Sequence, residues 1–385
     1  MRAFGEVSSD FLRLFLKSPE FIRYADDSTH GMNLPRLGTE KARMAIVPLP
    51  PLEEQHRIVA KVDELMALCD ALERQAEDSL KAHQTLVETC LATLTNSQSP
   101  EELTQNWTRI ETHFDTLFTT EESISKLERT IVQLGVTGRL GSQQSTDEPA
   151  KSIFAEITKR DTKSKRRAKA KLRGQISVNR SDEVGFELPE GWEMVEFDEL
   201  IEPDKPIAYG VLVPGKDTDG GVPFVRIADL SIDAPEELPE KSILPEVDEQ
   251  YARTRLEGGE ILMGVVGSIG KLGVAPVSWK GANIARAVCR IVPATELSKE
   301  YVLLLLRSDL MQRGFRGDTR VLAQPTLNIG LIRAAPTPVP PFAEQLRIVK
   351  RVEDLLKCCA LLRSKAELSS KLAVQLADTL TSQIH

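Results

Sequence analysis

The segment Gly264-Val-Val-Gly-Ser-Ile-Gly-Lys271 has glycines and a lysine at a spacing that could cradle a phosphate group. A phosphate-binding loop also needs a glycine five positions before its last glycine, and a serine or threonine after its lysine to bind Mg²⁺. Those two positions are Val265 and Leu272. The segment is therefore not expected to bind or hydrolyse a nucleotide.

Other catalytic patterns also fail. Val339-Pro-Pro-Phe342 resembles the motif of amino-methyltransferases, but valine replaces the Asn or Asp that would hold the target amine. The sequence contains no dinucleotide-binding fingerprint, no nucleophile elbow and no Cys/His cluster with zinc spacing. Surface or packing roles are expected for the five histidines, which are His30, His56, His83, His113 and His385. We expect no catalytic residue, no metal and no cofactor on this chain.

The strongest pattern is an internal repeat. The stretch from Pro48 to Leu72 matches the stretch from Pro338 to Leu362, with 12 of 25 positions identical and an offset of 290 residues. Weaker similarity precedes it, since Phe11–Ser18 aligns with Tyr301–Ser308. The repeat indicates two copies of one module, a domain followed by a long helix. The first copy has only ten residues before Phe11, so most of its domain is expected to be missing.

Both repeated stretches predict a long helix. Prolines force an extended approach and then favour the first helical turn. Apolar residues follow at alternating spacings of four and three, the seam of a coiled coil. The seam positions are Ile58, Val62, Leu65, Cys69 and Leu72 in the first copy, and Ile348, Val352, Leu355, Cys359 and Leu362 in the second. The simplest expectation is an antiparallel coiled coil of the two helices; packing of each helix on a separate core is the alternative.

Shorter elements are predicted between and before these helices. Helices are expected at 11–25, 100–117, 121–134 and 298–313, and strands at 44–47, 193–197, 222–227, 260–266, 272–277 and 287–292. This order indicates an α+β domain with a curved mixed sheet. The expected divisions are a domain remnant at 1–47, the first long helix at 48–96, a helical connector and basic linker at 97–185, a second domain at 186–336 and the second long helix at 337–385.

Charge is unevenly distributed in the second domain. Residues 186–252 carry 18 acidic and 4 basic side chains, whereas residues 253–336 carry 6 acidic and 12 basic ones. A basic face is therefore possible despite a net charge of −8. Ordinary solvated surface explains the asymmetry equally well. The run 159–173 has nine basic residues in fifteen, without interleaved aromatics, and is interpreted as a linker.

Length and composition set broad limits. A chain of 385 residues is expected to form two or more domains. No apolar run approaches the length of a membrane span, and the N-terminus has no signal-peptide core. The five cysteines, an odd number mostly in helical patterns, are typical of a reduced cytoplasmic protein.

The doubled motif Pro-x-Pro-Pro-x-x-Glu-Gln-x-Arg-Ile-Val at the start of two long helices resembles the conserved regions of type I restriction-modification specificity subunits. Four further stretches support the resemblance. They are Phe186–Trp192, Tyr209–Val211, Val222–Leu230 and Glu257–Val274.

This resemblance implies a non-catalytic protein that reads double-stranded DNA. Such a subunit has two target-recognition domains separated by two antiparallel helices, and each domain reads half of a split sequence. The helices dock two methylation subunits, and restriction subunits join that core. S-adenosylmethionine and ATP are then expected only on the partners. Because this chain lacks most of a first recognition domain, homodimerisation through the long helices is a hypothesis.

The resemblance and the residue types suggest two sets of contacts. Lys or Arg would contact phosphates, while Arg, Gln or Ser would read base edges. The candidates for DNA contact are Lys216, Arg226, Ser268, Lys271, Arg286, Arg316, Arg320 and Gln324. The candidates for docking a partner or the adjoining domain are Glu54, Gln55, Arg57, Glu344, Gln345 and Arg347.

Two other functions stay open. A coiled-coil scaffold without a nucleic-acid role would show no salt-dependent DNA binding. A defunct subunit would dock methylation partners but recognise no DNA. A methyltransferase-nuclease fusion would require catalytic motifs, and the sequence contains none of them.

Overall fold

The computed structural model describes residues 7–27, 37–97, 99–141, 143–160, 186–317 and 326–382. The chain divides into two compact units, 1–85 and 86–385. The first unit contains helices α1 (Ser9–Leu16), α2 (Pro19–Asp27), α3 (Thr39–Met44) and most of α4 (Leu52–Asn96). None of the helices in the described ranges is long and apolar enough to cross a membrane.

The second unit begins with the end of α4 and a helical connector. The connector consists of α5 (Pro100–Thr112), α6 (Phe114–Leu117), α7 (Glu121–Val136) and α8 (Lys151–Arg160). Thr120 caps α7, because its hydroxyl accepts from the Ser123 N–H. The apolar face of α7 buries Ile124, Leu127 and Ile131 in the largest core of the unit.

In the described residues that follow, the chain forms nine short strands and five α-helices. The strands are β1 (Glu193–Glu196), β2 (Ala208–Tyr209), β3 (Val222–Val225), β4 (Lys241–Ile243), β5 (Ile261–Gly264), β6 (Leu272–Val274), β7 (Asn283–Ile284), β8 (Val288–Ile291) and β9 (Pro336–Val339). The helices are α9 (Pro245–Gln250), α10 (Lys299–Arg307), α11 (Asp309–Gly317), α12 (Ile329–Ala334) and α13 (Phe342–Ser382).

The strands form three small sheets, with orders β1-β9, β2-β8-β5-β6 and β4-β3-β7. All pairs are antiparallel except β3 with β7, so the third sheet is mixed. The α+β class and the two long helices are confirmed. The expected single curved sheet is instead divided among these three.

Several predicted elements have different bounds. The helix expected at 298–313 is two helices broken at Ser308, whose hydroxyl donates to the Leu305 carbonyl. The helix expected at 11–25 is likewise two, α1 and α2. The strand expected at 44–47 is wrong: Met44 ends α3, and residues 45–51 are extended without a ladder.

The repeat is visible in the structure as well as in the sequence. Helices α1, α2, α3 and α4 begin 290 residues before α10, α11, α12 and α13, respectively. Each copy therefore consists of three short helices and an extended proline-rich approach to a long helix. In the second copy the approach forms β9 and pairs with β1.

Candidate nucleic-acid interface

One end of the four-stranded sheet gathers three loops. Strand β2 ends at Tyr209, beside Cys289 near the start of β8. Strand β5 ends at Gly264, opposite Val288, and β6 starts at Leu272 opposite Met263. Loops 210–216, 265–271 and 285–287 consequently leave the sheet at this end. We call these three loops the loop edge.

Backbone hydrogen bonds join the three loops. The Val211 N–H donates to the Ile284 carbonyl, and the Arg286 N–H donates back to the Val211 carbonyl, at 2.8 and 2.9 Å. The Val265 N–H donates to the Ala287 carbonyl at 2.8 Å. These bonds make the loop edge a continuous surface with a fixed order of loops.

Tyr209 holds the loop edge to the start of α12. Its hydroxyl donates to the Leu327 carbonyl at 3.0 Å and accepts from the Ile329 N–H at 2.9 Å. The next residue, Gly210, has no room for a side chain, because an added Cβ would lie 1.7 Å from the Ile284 carbonyl oxygen. Our sequence interpretation noted the Tyr209-Gly-Val segment but assigned Tyr209 no role. A tyrosine before an obligatory glycine was the available signal.

Besides Lys271, three of the predicted DNA-contact residues lie on the loop edge with exposed side chains. They are Lys216, Ser268 and Arg286. Two of them are cationic, and Ser268 lies in the tight hairpin turn between β5 and β6, where its carbonyl accepts from the Lys271 N–H. The geometry therefore brings cationic and hydrogen-bonding groups together from distant parts of the sequence.

Two other predicted contacts are engaged within the chain. The ammonium group of Lys271 donates to the carbonyls of Ile227 and Ala228, at 2.9 and 3.2 Å. Arg226 forms ion pairs with Asp229 and Glu240, and these hydrogen bonds raise the pKa of its guanidinium. To contact DNA phosphates, both residues would have to give up these intrachain partners. Neither is therefore proposed as a DNA contact.

The remaining predicted contacts are close in sequence to α11. Arg316 lies in the last turn of α11, and its side chain lies outside the described part of the structure. Arg320 and Gln324 lie outside the described residues. The next described residue, Thr326, forms an antiparallel bridge with Val266 of the loop edge. Asn328 caps α12 by accepting from the Gly330 N–H.

The glutamine of the repeated motif makes the same two hydrogen bonds within the chain in both copies. Gln345 is fully buried; its carbonyl oxygen accepts from the Ser298 N–H at 2.9 Å and its amide donates to the Pro340 carbonyl at 3.0 Å. Gln55 makes the same two bonds, with Ser8 and Pro50, both at 2.8 Å. In each copy the glutamine therefore ties the proline approach to the cap of the module's first helix.

Comparison with known proteins agrees with this architecture. Residues 189–368 match the family model of the type I restriction modification DNA specificity domain. We call residues 189–368 the specificity domain, after the family model that they match. The match begins within the Phe186–Trp192 stretch and extends into α13, so the resemblance stated from the sequence is confirmed.

Two curated relatives come from Escherichia coli. The EcoEI specificity subunit is 33% identical over 98% of this chain and 65% of its own length. The EcoAI specificity subunit is 41% identical over 49% of this chain and 32% of its own length. The chain thus spans less than two thirds of either relative. A chain from a structure of type I R-M complex assembly is 19% identical, with a TM-score of 0.48, and covers 95% of this chain and 68% of that one.

The Glu and Arg of the motif differ between the two copies. In the specificity domain, Glu344 is buried and accepts from the Trp192 indole N–H at 3.0 Å, while Arg347 pairs with Asp147 of the connector. In the first copy Glu54 and Arg57 pair with each other. Glu344 and Gln345 thus contact the adjoining domain, whereas Arg347 contacts the connector. The docking roles assigned from the sequence to these three residues and to Glu54, Gln55 and Arg57 stay predictions.

The seam of α13 is partly buried inside the second unit. Ile348, Val352 and Cys359 are buried, and a Cβ added to Gly135 of α7 would lie 3.0 Å from Val352 and 3.3 Å from Ile348. Burial also raises the pKa of the Cys359 thiol to about 11. Leu355 and Leu362 are half-buried. Helix α7 therefore covers the N-terminal part of this seam.

The seam of α4 is more exposed. Ile58 and Val62 are half-buried, whereas Leu65, Cys69 and Leu72 are exposed. The antiparallel packing of the two long helices on each other stays a prediction. Within the described residues, no group of three His, Cys, Asp or Glu side chains is arranged to hold a metal ion.

Proposed function

We propose that this chain is a DNA sequence-specificity subunit of a type I restriction-modification complex. The observation that carries the proposal is the loop edge of the specificity domain, where Lys216, Ser268 and Arg286 are exposed on loops that the sheet holds together. On this proposal the loop edge reads half of a split double-stranded DNA target. The chain itself catalyses nothing.

The charge arrangement favours DNA as the ligand. Lys216 and Arg286 supply cations to phosphates, which gives affinity that falls as salt concentration rises. Arginine can also bind guanine through two hydrogen bonds, and a serine hydroxyl can donate to or accept from a base edge. Two cations that position the DNA, and an arginine and a serine that can discriminate bases, are a minimal reading surface.

The long helices are proposed to dock the partner subunits. Exposed leucines continue along α4 and the C-terminal half of α13; they are Leu65, Leu68, Leu72 and Leu80, with Leu361, Leu368, Leu372, Leu376 and Leu380. Apolar rows of this length favour contact with other helices. We propose two methylation subunits, which hold S-adenosylmethionine, and ATP-dependent restriction subunits recruited onto them.

A homodimer would supply two recognition domains. The exposed first-copy residues Glu54 and Arg57, and the leucine row of α4, would contribute to that contact. Light scattering of the purified chain at high concentration tests this point. A monodisperse monomer whose DNA footprint lacks two-fold symmetry would rule it out.

The function is tested by methylome sequencing of cells that express this chain with its methylation subunit. A palindromic split motif is expected if two copies read one target, and an asymmetric split motif if another chain supplies the second half. Gel-shift titration of the purified complex at several salt concentrations measures DNA affinity directly. Co-purification without methylation and without DNA binding would reduce the chain to a docking scaffold.

A further inference from the structure

The loop edge carries an exposed apolar tip. Leu212 and Val213 follow directly after Val211 and leave 53% and 71% of their surfaces exposed. Val211 itself is buried. The two adjacent branched side chains therefore extend outward from a residue that is fixed in the domain.

The tip is anchored on both sides. Before it, Val211 is held by its two backbone hydrogen bonds to Ile284 and Arg286. After it, the carboxylate of Asp217 accepts from the Ser242 N–H at 3.0 Å and from the Lys241 ammonium at 2.8 Å. Residues 212–216 thus form a short span between fixed points, which limits the entropy lost when the tip binds a ligand.

The surroundings of the tip favour a nucleic acid. Lys216 lies at one end of the span, and Arg286 is bonded through its backbone to the residue before the tip. The carboxylate that follows the span in sequence, Asp217, is paired with Lys241, and this hydrogen bond lowers the pKa of Asp217. An apolar tip between two available cations matches a DNA groove, where phosphates flank an apolar group on the base edges.

We propose that Leu212 and Val213 contact thymine C5-methyl groups in the major groove and so set a requirement for A·T pairs in the recognised half-site. This inference rests on the proposed function, because it assigns base discrimination to part of the same loop edge. The thymine methyl is the apolar feature of the major groove, and aliphatic side chains recognise it by contact. Hydrophilic loop residues would not distinguish the methyl from hydrogen.

The domain offers a matched control for these side chains. Val277 is 79% exposed and follows β6, at the end of the sheet opposite the loop edge. The Gly259 N–H donates to the Ala275 carbonyl there, which places residues 257–260 and 275–281 together. Val277→Ala removes the same atoms as Val213→Ala from a surface that the proposal leaves out.

The first experiment is methylome sequencing of cells carrying the wild-type chain, Leu212→Ala, Val213→Ala or Val277→Ala with the same methylation subunit. We expect Leu212→Ala or Val213→Ala to relax the motif at one or two adjacent A·T positions and leave all other positions unchanged. Val277→Ala should reproduce the wild-type motif. Co-purification of each variant with the methylation subunit verifies that it is folded.

The second experiment measures binding of the purified complexes to a duplex containing deoxyuridine in place of thymidine at the relaxed position. Loss of one methyl contact should weaken wild-type binding about fourfold. The Leu212→Ala or Val213→Ala complex that relaxed the motif should bind both duplexes equally.

Five results would overturn the inference. They are an unchanged motif, a uniform loss of methylation at all sites, relaxation at a G·C pair, wild-type binding that deoxyuridine does not weaken, and a deoxyuridine penalty that persists in the variant. A uniform loss would indicate a structural role of the replaced residue, and wild-type binding without a deoxyuridine penalty would favour insertion of the tip between base pairs. Absence of methylation and DNA binding with the wild-type chain would instead refute the proposed function.

Discussion

The buried side chain of Gln345 accepts a hydrogen bond from the backbone N–H of Ser298 at 2.9 Å, across 47 residues of sequence. Ser298 is the cap of α10, so its N–H has no partner within that helix. Gln55 and Ser8 are related in the same way at 2.8 Å. A pair that recurs in both copies of the module explains why the glutamine is repeated beside the prolines.

Replacing Gln345 with leucine should therefore destabilise the second unit. The Ser298 N–H and the Pro340 carbonyl would both lose a buried partner. We expect a decrease of about 2–4 kcal/mol in the free energy of unfolding, measured by urea titration. Leu346→Gln, at an exposed neighbouring position, is the control and should change stability little. Equal effects of the two substitutions would show that the hydrogen bonds are unimportant.

Gly135 permits the close approach of α7 and α13. A Cβ at this position would lie 3.0 Å from a methyl carbon of Val352, so Gly135→Val should overpack the contact and cost about 1–3 kcal/mol. Gly314→Ala in α11 is the control, because no atom lies within 4 Å of its added Cβ. That control should gain up to about 1 kcal/mol from helix propensity. Thermal unfolding of both variants tests the difference, and a stabilised Gly135→Val would contradict this packing.

The sequence predicted most of this architecture because its signals are local or repeated. Corresponding helices of the two copies begin 290 residues apart. Pro19 starts α2 at the break after α1, and the equivalent break in the second copy lies at Ser308. We missed that break by extending the apolar period through 298–313. The two-residue strands β2 and β7 carry no periodic signal, and β9 contains two prolines that read only as an extended approach.

Predictions for the site were less complete. Residue type could nominate Lys271 as a DNA contact, but only the fold shows that its ammonium group is bonded to the Ile227 carbonyl. Conversely, Leu212 and Val213 were not among the contacts predicted from the sequence. Their exposure depends on how β2 ends beside β8, which is a long-range pairing.

Asp147 and Glu344 should make the unfolding free energy of the second unit depend on pH in opposite directions. Arg347 lowers the pKa of Asp147 by hydrogen bonding, so this pair stabilises the fold above the ordinary pKa of aspartate. That stability is lost as pH falls through the lowered pKa. Asp147→Asn should therefore flatten the acid limb of a plot of unfolding free energy against pH. An acid limb with unchanged slope would contradict this assignment.

Glu344 should act in the other direction. Burial raises its pKa, so the folded state binds a proton more tightly than the unfolded state, and stability falls as pH rises from the ordinary pKa of glutamate through the raised one. Glu344→Gln keeps an acceptor for the Trp192 indole and removes the charge. The variant should be more stable than the wild type at neutral pH, and the difference should vanish in acid. Urea titrations across this pH range measure it; greater wild-type stability at neutral pH would show that the carboxylate charge is favourable there.

The salt dependence of DNA binding should distinguish the two ends of the four-stranded sheet. If Lys216 and Arg286 each neutralise one phosphate, alanine at either position should reduce the slope of log affinity against log salt by about 0.9. Lys280→Ala is the matched control, since Lys280 is an exposed cation beside Val277 at the opposite end. Gel-shift titrations with the methylation complex give all the slopes. A slope that changes for Lys280→Ala but not for Arg286→Ala would place the DNA on the other end of the sheet.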